Sequence, residues 1–311
     1  MRLHVFALMF AACAACDPAY GPSPATLSYV PGDAGVWIDG GLPPTPAEIM
    51  CRRFTMDMSA LAEAQWSGNS AACDAGNLNE PGRTSIVRHV NLIRFLGGLP
   101  EVSDDPVLNA RAQSCSLLMA VNGKLSHAPT PEWKCWTQEG AQAAGKSNLS
   151  TTPGVQAVQD YMIDHGNQTT LGHRRWLLSN SLGPIGVGSS NSASCLWVIG
   201  GKGAVKKAWQ AWPPPGVFPY EAYRTKWSNL DVTGWSLQSD SVNLQKATVT
   251  VTEDGLPRPT TVTVLKHNYG SKHAISFVPK GWQAKAGRTY HVQIGGIAPA
   301  ISYDVAMVIC R

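Results

Sequence analysis

Leu125-Ser126-His127, then Glu139, then Ala157-Val158-Gln159-Asp160-Tyr161-Met162-Ile163-Asp164, then Gly172-His173-Arg174-Arg175-Trp176: the stretch from 125 to 176 decides how this chain is read. It gathers two histidines and two carboxylates in a sequence that is only 15% charged. Gly154 to Asp164 reads as a helix, with Val155, Val158 and Met162 three and four residues apart and Gly166-Asn167 as the stop. Asp164 then falls at the helix C-terminus, where the macrodipole disfavours a carboxylate, so it calls for a cationic partner or a metal. Two neutral imidazoles with carboxylates suit zinc and related divalent ions. The expectation is that His127, Glu139, Asp164 and His173 converge on one shallow metal-capable site. The competing account makes both histidines hydrogen-bonded ties between loops. The spacing is not the His-Glu-x-x-His of a metalloprotease helix. Ser126 beside His127 lacks the Gly-x-Ser-x-Gly elbow of a serine hydrolase. Arg174 and Arg175 are expected to pair with Asp160 or Asp164.

Working outward, the residues before this stretch read as helical. Thr45-Pro46-Ala47-Glu48 is a helix start with a capping threonine, Pro at the first position and Glu at the third. Ser85 to Leu96 places Ile86, Val90 and Ile93 on one face, and Gly97-Gly98 stops it. Asp105-Pro106 opens another helix that Asn122-Gly123 ends, with Leu108, Ala112, Cys115 and Met119 as its buried stripe. Beyond Trp176, Cys195-Leu196-Trp197-Val198-Ile199 suits a buried strand.

At Trp212-Pro213-Pro214-Pro215-Gly216 the composition shifts and the periodicity becomes two. Thr248 to Thr252 and Thr261 to Val264 alternate, and Ile275 to Val278, Tyr290 to Ile294 and Val305 to Ile309 follow with turn residues between. That pattern predicts a small β-sandwich over 212–311. The fold class is therefore α+β, with an all-β, Ig-like module at the C-terminal end.

At the other end, residues 1–16 read as an export signal: Arg2, a short apolar run from Val5 to Ala12, then small residues. Either a peptidase cuts there, or Ala-Ala-Cys acts as a lipobox with Cys13 or Cys16 lipidated. Residues 17–83 form a Pro- and Gly-rich extension with one helix. Six further cysteines, at 51, 73, 115, 135, 195 and 310, have no CxxC spacing, so three disulfides are expected. Cys51 and Cys73 bracket a turn, Cys115 could reach Cys135, and Cys195 could reach Cys310. The net charge of +4 carries no Lys/Arg stripe, which argues against nucleic acid.

The central motifs resemble the CAP superfamily (cysteine-rich secretory, antigen 5 and pathogenesis-related proteins) in its bacterial form, over roughly 84 to 200. Asn91-Leu92-Ile93-Arg94 is similar to the second part of the family's His-Asn-x-x-Arg helix, with Val90 where its His would stand. Ala157 to Asp164 is similar to Ala-Val-x-x-Trp-x-x-Glu, with Tyr161 and Asp164 as replacements. Gly172-His173 matches the start of the Gly-His signature, and Leu125-Ser126-His127 the His-bearing turn. Glu139 is the nearest fit to the family's Gly-Glu-Asn carboxylate, in the order Gln138-Glu139-Gly140. The resemblance implies an α-β-α sandwich over 84–211 with a cleft where these four residues meet. It also implies an exported binding module for a lipid, a sterol or a cell-envelope component. The alternative is a metal-dependent hydrolase with Glu139 as base.

Overall fold

A computed structural model describes residues 43–310. The export signal, with Cys13 and Cys16, and the first part of the Pro/Gly-rich extension lie outside the described residues. Leu42–Arg311 is one compact unit.

Seven helices are placed among the described residues. Helix α1, Pro46–Ser59, starts at the predicted capping box: the Glu48 amide donates to Thr45 Oγ1 at 3.2 Å and the Thr45 amide to Glu48 Oε2 at 2.7 Å. Helix α2, Glu80–Leu96, begins five residues before the predicted start because Pro81 opens its first turn. Helix α3, Pro106–Asn122, is capped by Asp105, which accepts from the Val107 and Leu108 amides, and ends at left-handed Gly123. Helices α4 (Gln138–Ala144), α5 (Gln156–Ile163), α6 (Gly172–Leu177) and α7 (Leu230–Thr233) complete the set.

Strands β1 (Ser147–Ser150), β2 (Gly186–Ser189) and β3 (Ser194–Trp197) form an antiparallel sheet in the order β1-β3-β2. Helix α3 packs on β2 and β3, and α4 on β1 and β3, while α2 and α5 meet β2 and β1. Leu149 and Cys195 point into the first interface, Val187 and Leu196 into the second. This is the expected three-layer sandwich. The Gly186-Val187-Gly188 run serves helix packing: a Cβ on Gly188 would lie 2.1 Å from the Ala112 backbone.

The β-rich region follows the predicted change of period. Strands β4 (Gln210–Trp212), β6 (Trp235–Ser239), β10 (His273–Pro279) and β9 (Thr260–Val264) form a four-stranded antiparallel sheet in the order β4-β6-β10-β9. Strands β5 (Gly216–Pro219), β12 (Ile301–Val308), β11 (Thr289–Gly295), β7 (Thr248–Glu253) and β8 (Leu256–Pro257) form the second, in the order β5-β12-β11-β7-β8. Only β5 runs parallel to its neighbour among the described strands. One continuous apolar core links α1 and α2 through Trp212 to Trp235 and Tyr290.

The predicted disulfides are corrected in all three cases. The bridges are Cys51–Cys310, Cys73–Cys135 and Cys115–Cys195. Cys115 lies on the sheet-facing side of α3, so its partner is Cys195 of β3, both almost fully buried. Helix α1 packs against β5, which delivers Cys51 to the C-terminal end beside β12. Cys73 sits on a small turn closed by the Asn69–Asp74 bridge and meets the loop of Cys135. Non-reducing peptide mapping is expected to recover a fragment holding Cys51 linked to the C-terminal fragment holding Cys310. A Cys51–Cys73 fragment would refute this arrangement.

Candidate functional site

Two of the four predicted site residues are in direct contact. Asp164 ends α5 in the left-handed conformation (φ 58°), which turns its carboxylate toward the start of α6. There Oδ1 meets His173 Nδ1 at 2.8 Å and accepts from Asn167 Nδ2 at 3.2 Å. Its Oδ2 accepts from the His173 amide at 3.1 Å and the Arg174 amide at 3.4 Å. The carboxylate escapes the negative end of one helix by capping the positive end of the next. The side chain of Asp164 is 1% exposed and that of His173 24% exposed, so the acid is sealed and the imidazole faces outward. Among the described residues His173 Nε2 has no hydrogen-bond partner, and it reaches solvent. The carboxylate on Nδ1 fixes the tautomer that leaves Nε2 as an acceptor or ligand. Tyr161 stacks obliquely on the His173 ring at 5.3 Å, with its hydroxyl donating to the Asn148 carbonyl at 3.2 Å. Burial pushes the Tyr161 phenol well above its ordinary range.

His127 is exposed, and its Nδ1 donates to the Ala144 carbonyl at 2.8 Å, at the end of α4. Four residues on, Asn148 of β1 donates its amide to the His173 carbonyl at 3.0 Å. The segment from 144 to 148 thus touches both histidines, and four residues span at most about 14 Å. Glu139 lies exposed in the first turn of α4 and makes no side-chain hydrogen bond among the described residues. No three His, Cys, Asp or Glu side chains among the described residues are grouped so as to hold a metal ion. Ser126 accepts from the Ala128 amide at 3.1 Å, which makes it a turn residue.

The two arginines depart from expectation. Neither pairs with Asp160 or Asp164. Both are fully buried, and they run from α6 into the β-rich region. Arg174 donates to the carbonyls of Met162 (2.6 Å), Ile163 (3.1 Å) and Gly234 (2.8 Å) and to the hydroxyls of Ser236 and Thr233, each at 3.1 Å. Arg175 donates to the carbonyls of Thr170, Lys266 and Ser271 and to the Ser271 hydroxyl. Loss of hydration lowers both guanidinium pKa values to about 10. Gly270 lies so close that a Cβ there would be 2.4 Å from the Arg175 carbonyl oxygen.

These residues lie within the span that comparison with known families identifies. Residues 87–199 match the cysteine-rich secretory protein family, CAP. The chain carries a CAP domain. No curated relative and no solved structure matches it. The match begins inside α2 and ends just after β3, so it takes in the three-layer sandwich and every residue of the candidate site. The β-rich region that receives Arg174 and Arg175 lies outside it. In this CAP domain, the residues that follow the Gly-His pair attach the site helix to the neighbouring sheet.

Proposed function

We propose that this CAP-domain protein is exported and acts as an extracellular binding module. Its CAP module spans 84–211, and an Ig-like sandwich over 212–311 braces it. Three disulfides and a CAP domain are consistent with an extracellular protein. The binding surface is the shallow cleft bearing His127 and His173, and its partner is a lipid, a sterol or a cell-envelope component. One observation carries this reading: a sealed carboxylate, Asp164, orients an imidazole whose second nitrogen is free at the surface.

A divalent ion in this cleft, with zinc favoured, would take the free ring nitrogens of His127 and His173. Both rings have their Nδ1 committed to an oxygen, which is how protein ligands to zinc are usually held. Both oxygens of Asp164 are already engaged, so it would act behind His173. Glu139 would contribute through water.

Zinc titration of metal-stripped protein tests this, read by elemental analysis. Wild type is expected to retain one zinc per chain, and the His127→Ala/His173→Ala double variant none. Asp164→Asn is expected to weaken zinc about 10- to 100-fold. Equal metal content in wild type and double variant would remove the site. Metal-dependent peptide or ester turnover that Glu139→Gln abolishes while metal is retained would replace the binding reading with the hydrolase.

A further inference from the structure

The outer face of the five-stranded sheet holds four side chains that no part of the CAP reading uses. His291 on β11 stands directly opposite Asp304 on β12, and Gln293 directly opposite Ser302. His291 Nδ1 is 2.7 Å from Asp304 Oδ1, and His291 Nε2 is 3.1 Å from Ser302 Oγ. Burial alternates strictly along both strands here, so all four side chains stand on the solvent face. His291 is 49% exposed and Asp304 65%.

We propose that this face is an ester-hydrolysing site, with Ser302 as nucleophile, His291 as base and Asp304 as the orienting carboxylate. The order of contacts carries the inference. A cross-strand His–Asp pair alone is ordinary sheet pairing. Here the carboxylate holds the proton on Nδ1, and the nitrogen left basic is the one that meets a serine hydroxyl. That is the functional order of a Ser-His-Asp triad, which is recognised by geometry and roles and not by fold. Gln293, across from Ser302, makes no side-chain hydrogen bond among the described residues, so its amide is free to donate to a developing oxyanion. Thr250 and Thr252 of β7 extend the two rows sideways, opposite Gln293 and His291. All four side chains are exposed, so the site would take a small acyl ester whose alcohol stays in solvent.

The reaction runs in two halves. Ser302 Oγ bonds to the ester carbonyl carbon while its proton passes to His291 Nε2, and the carbonyl electron pair moves to the oxygen facing Gln293. The pair returns, the carbon–alkoxide bond breaks, and the leaving alcohol takes the proton from His291. Water, deprotonated by the same nitrogen, then bonds to the acyl carbon, the carbon–Oγ bond breaks, and Ser302 Oγ takes that proton back from His291 as the carboxylic acid leaves. The net change is ester plus water to acid plus alcohol. With every group exposed to water, His291 is expected to contribute near the low end of general-base catalysis, about 10²-fold.

The test uses the purified full chain with p-nitrophenyl acetate and with a fluorophosphonate. Ser302→Ala and His291→Gln are each expected to lower kcat/KM about 100-fold. Ser302 is expected to be the residue that the fluorophosphonate labels. His267→Gln removes an exposed imidazole on another part of the region and is expected to leave the rate unchanged. Thermal melts of each variant check that the sheet is intact. Three results would overturn the proposal: wild type with no hydrolysis above buffer, hydrolysis that survives Ser302→Ala, or absence of a fluorophosphonate adduct at Ser302.

Discussion

Arg174→Ala is expected to destabilise the protein by about 4 kcal/mol, the largest loss foreseen for any substitution near the candidate site. The substitution strands the carbonyls of Met162, Ile163 and Gly234 and the hydroxyl of Ser236 in a buried region, and leaves the Thr233 hydroxyl only its 3.4 Å bond to the Asn229 carbonyl. Each buried polar group left unpartnered costs about 1–3 kcal/mol. Relaxation and the relief of a desolvated charge return part of the total. Arg174→Lys is expected to recover little, because an ammonium has three donors on one atom and cannot span acceptors from α5, α7 and β6 together. Urea unfolding of wild type and both variants measures this. A loss below about 1 kcal/mol in Arg174→Ala would mean that the five hydrogen bonds merely balance the cost of burying the charge. Because α6 also carries His173, the variant is expected to loosen the candidate site as well as the fold.

The arginines also illustrate where sequence reasoning stops. Proximity in sequence points both side chains to Asp160 and Asp164, yet they are satisfied by carbonyls and hydroxyls from elements up to 96 residues away. No local pattern announces such a partner set. Features governed by local chemistry were legible: the Thr45–Glu48 box, the Asp105 cap and left-handed Gly123 lie where the sequence places them. Strand β1 was missed because Ser147-Asn148-Leu149-Ser150 lacks the apolar content of a buried strand. Its polarity serves a tertiary contact, since Asn148 donates to the His173 carbonyl. The disulfides failed for a related reason: pairing neighbours in sequence ignores that α3 lies on β3 and α1 on β5. At the candidate site, the dipole argument called for a cationic partner or a metal at Asp164, and the carboxylate meets the His173 ring nitrogen. It did not anticipate that the α6 amides would share that carboxylate, because Asp164, a residue type that tolerates the left-handed conformation, turns the chain directly into the start of α6.

Acidification is expected to weaken the fold between about pH 6.5 and pH 4 through His89, which is buried on α2 opposite the start of α5. Its Nδ1 donates to the Val155 carbonyl at 3.2 Å, and loss of hydration lowers its pKa to about 4 from 6.5. The imidazole is therefore neutral in the fold and takes a proton in the unfolded chain as pH drops below 6.5. The unfolded state binds more protons through this window, so stability rises with pH across it. The contribution is complete above about pH 6.5 and is lost as pH falls through about 4. A shift of this size corresponds to roughly 3 kcal/mol. His89→Gln keeps a donor for Val155 and has no charge to gain, so its stability is expected to be flat where wild type slopes. Carboxylates titrate in both proteins below about pH 5, so the difference between the two urea-unfolding curves isolates the histidine. Parallel curves from pH 7 to 4.5 would mean that His89 gains its proton without unfolding α2 from α5. The acid sensitivity would then belong to groups other than His89.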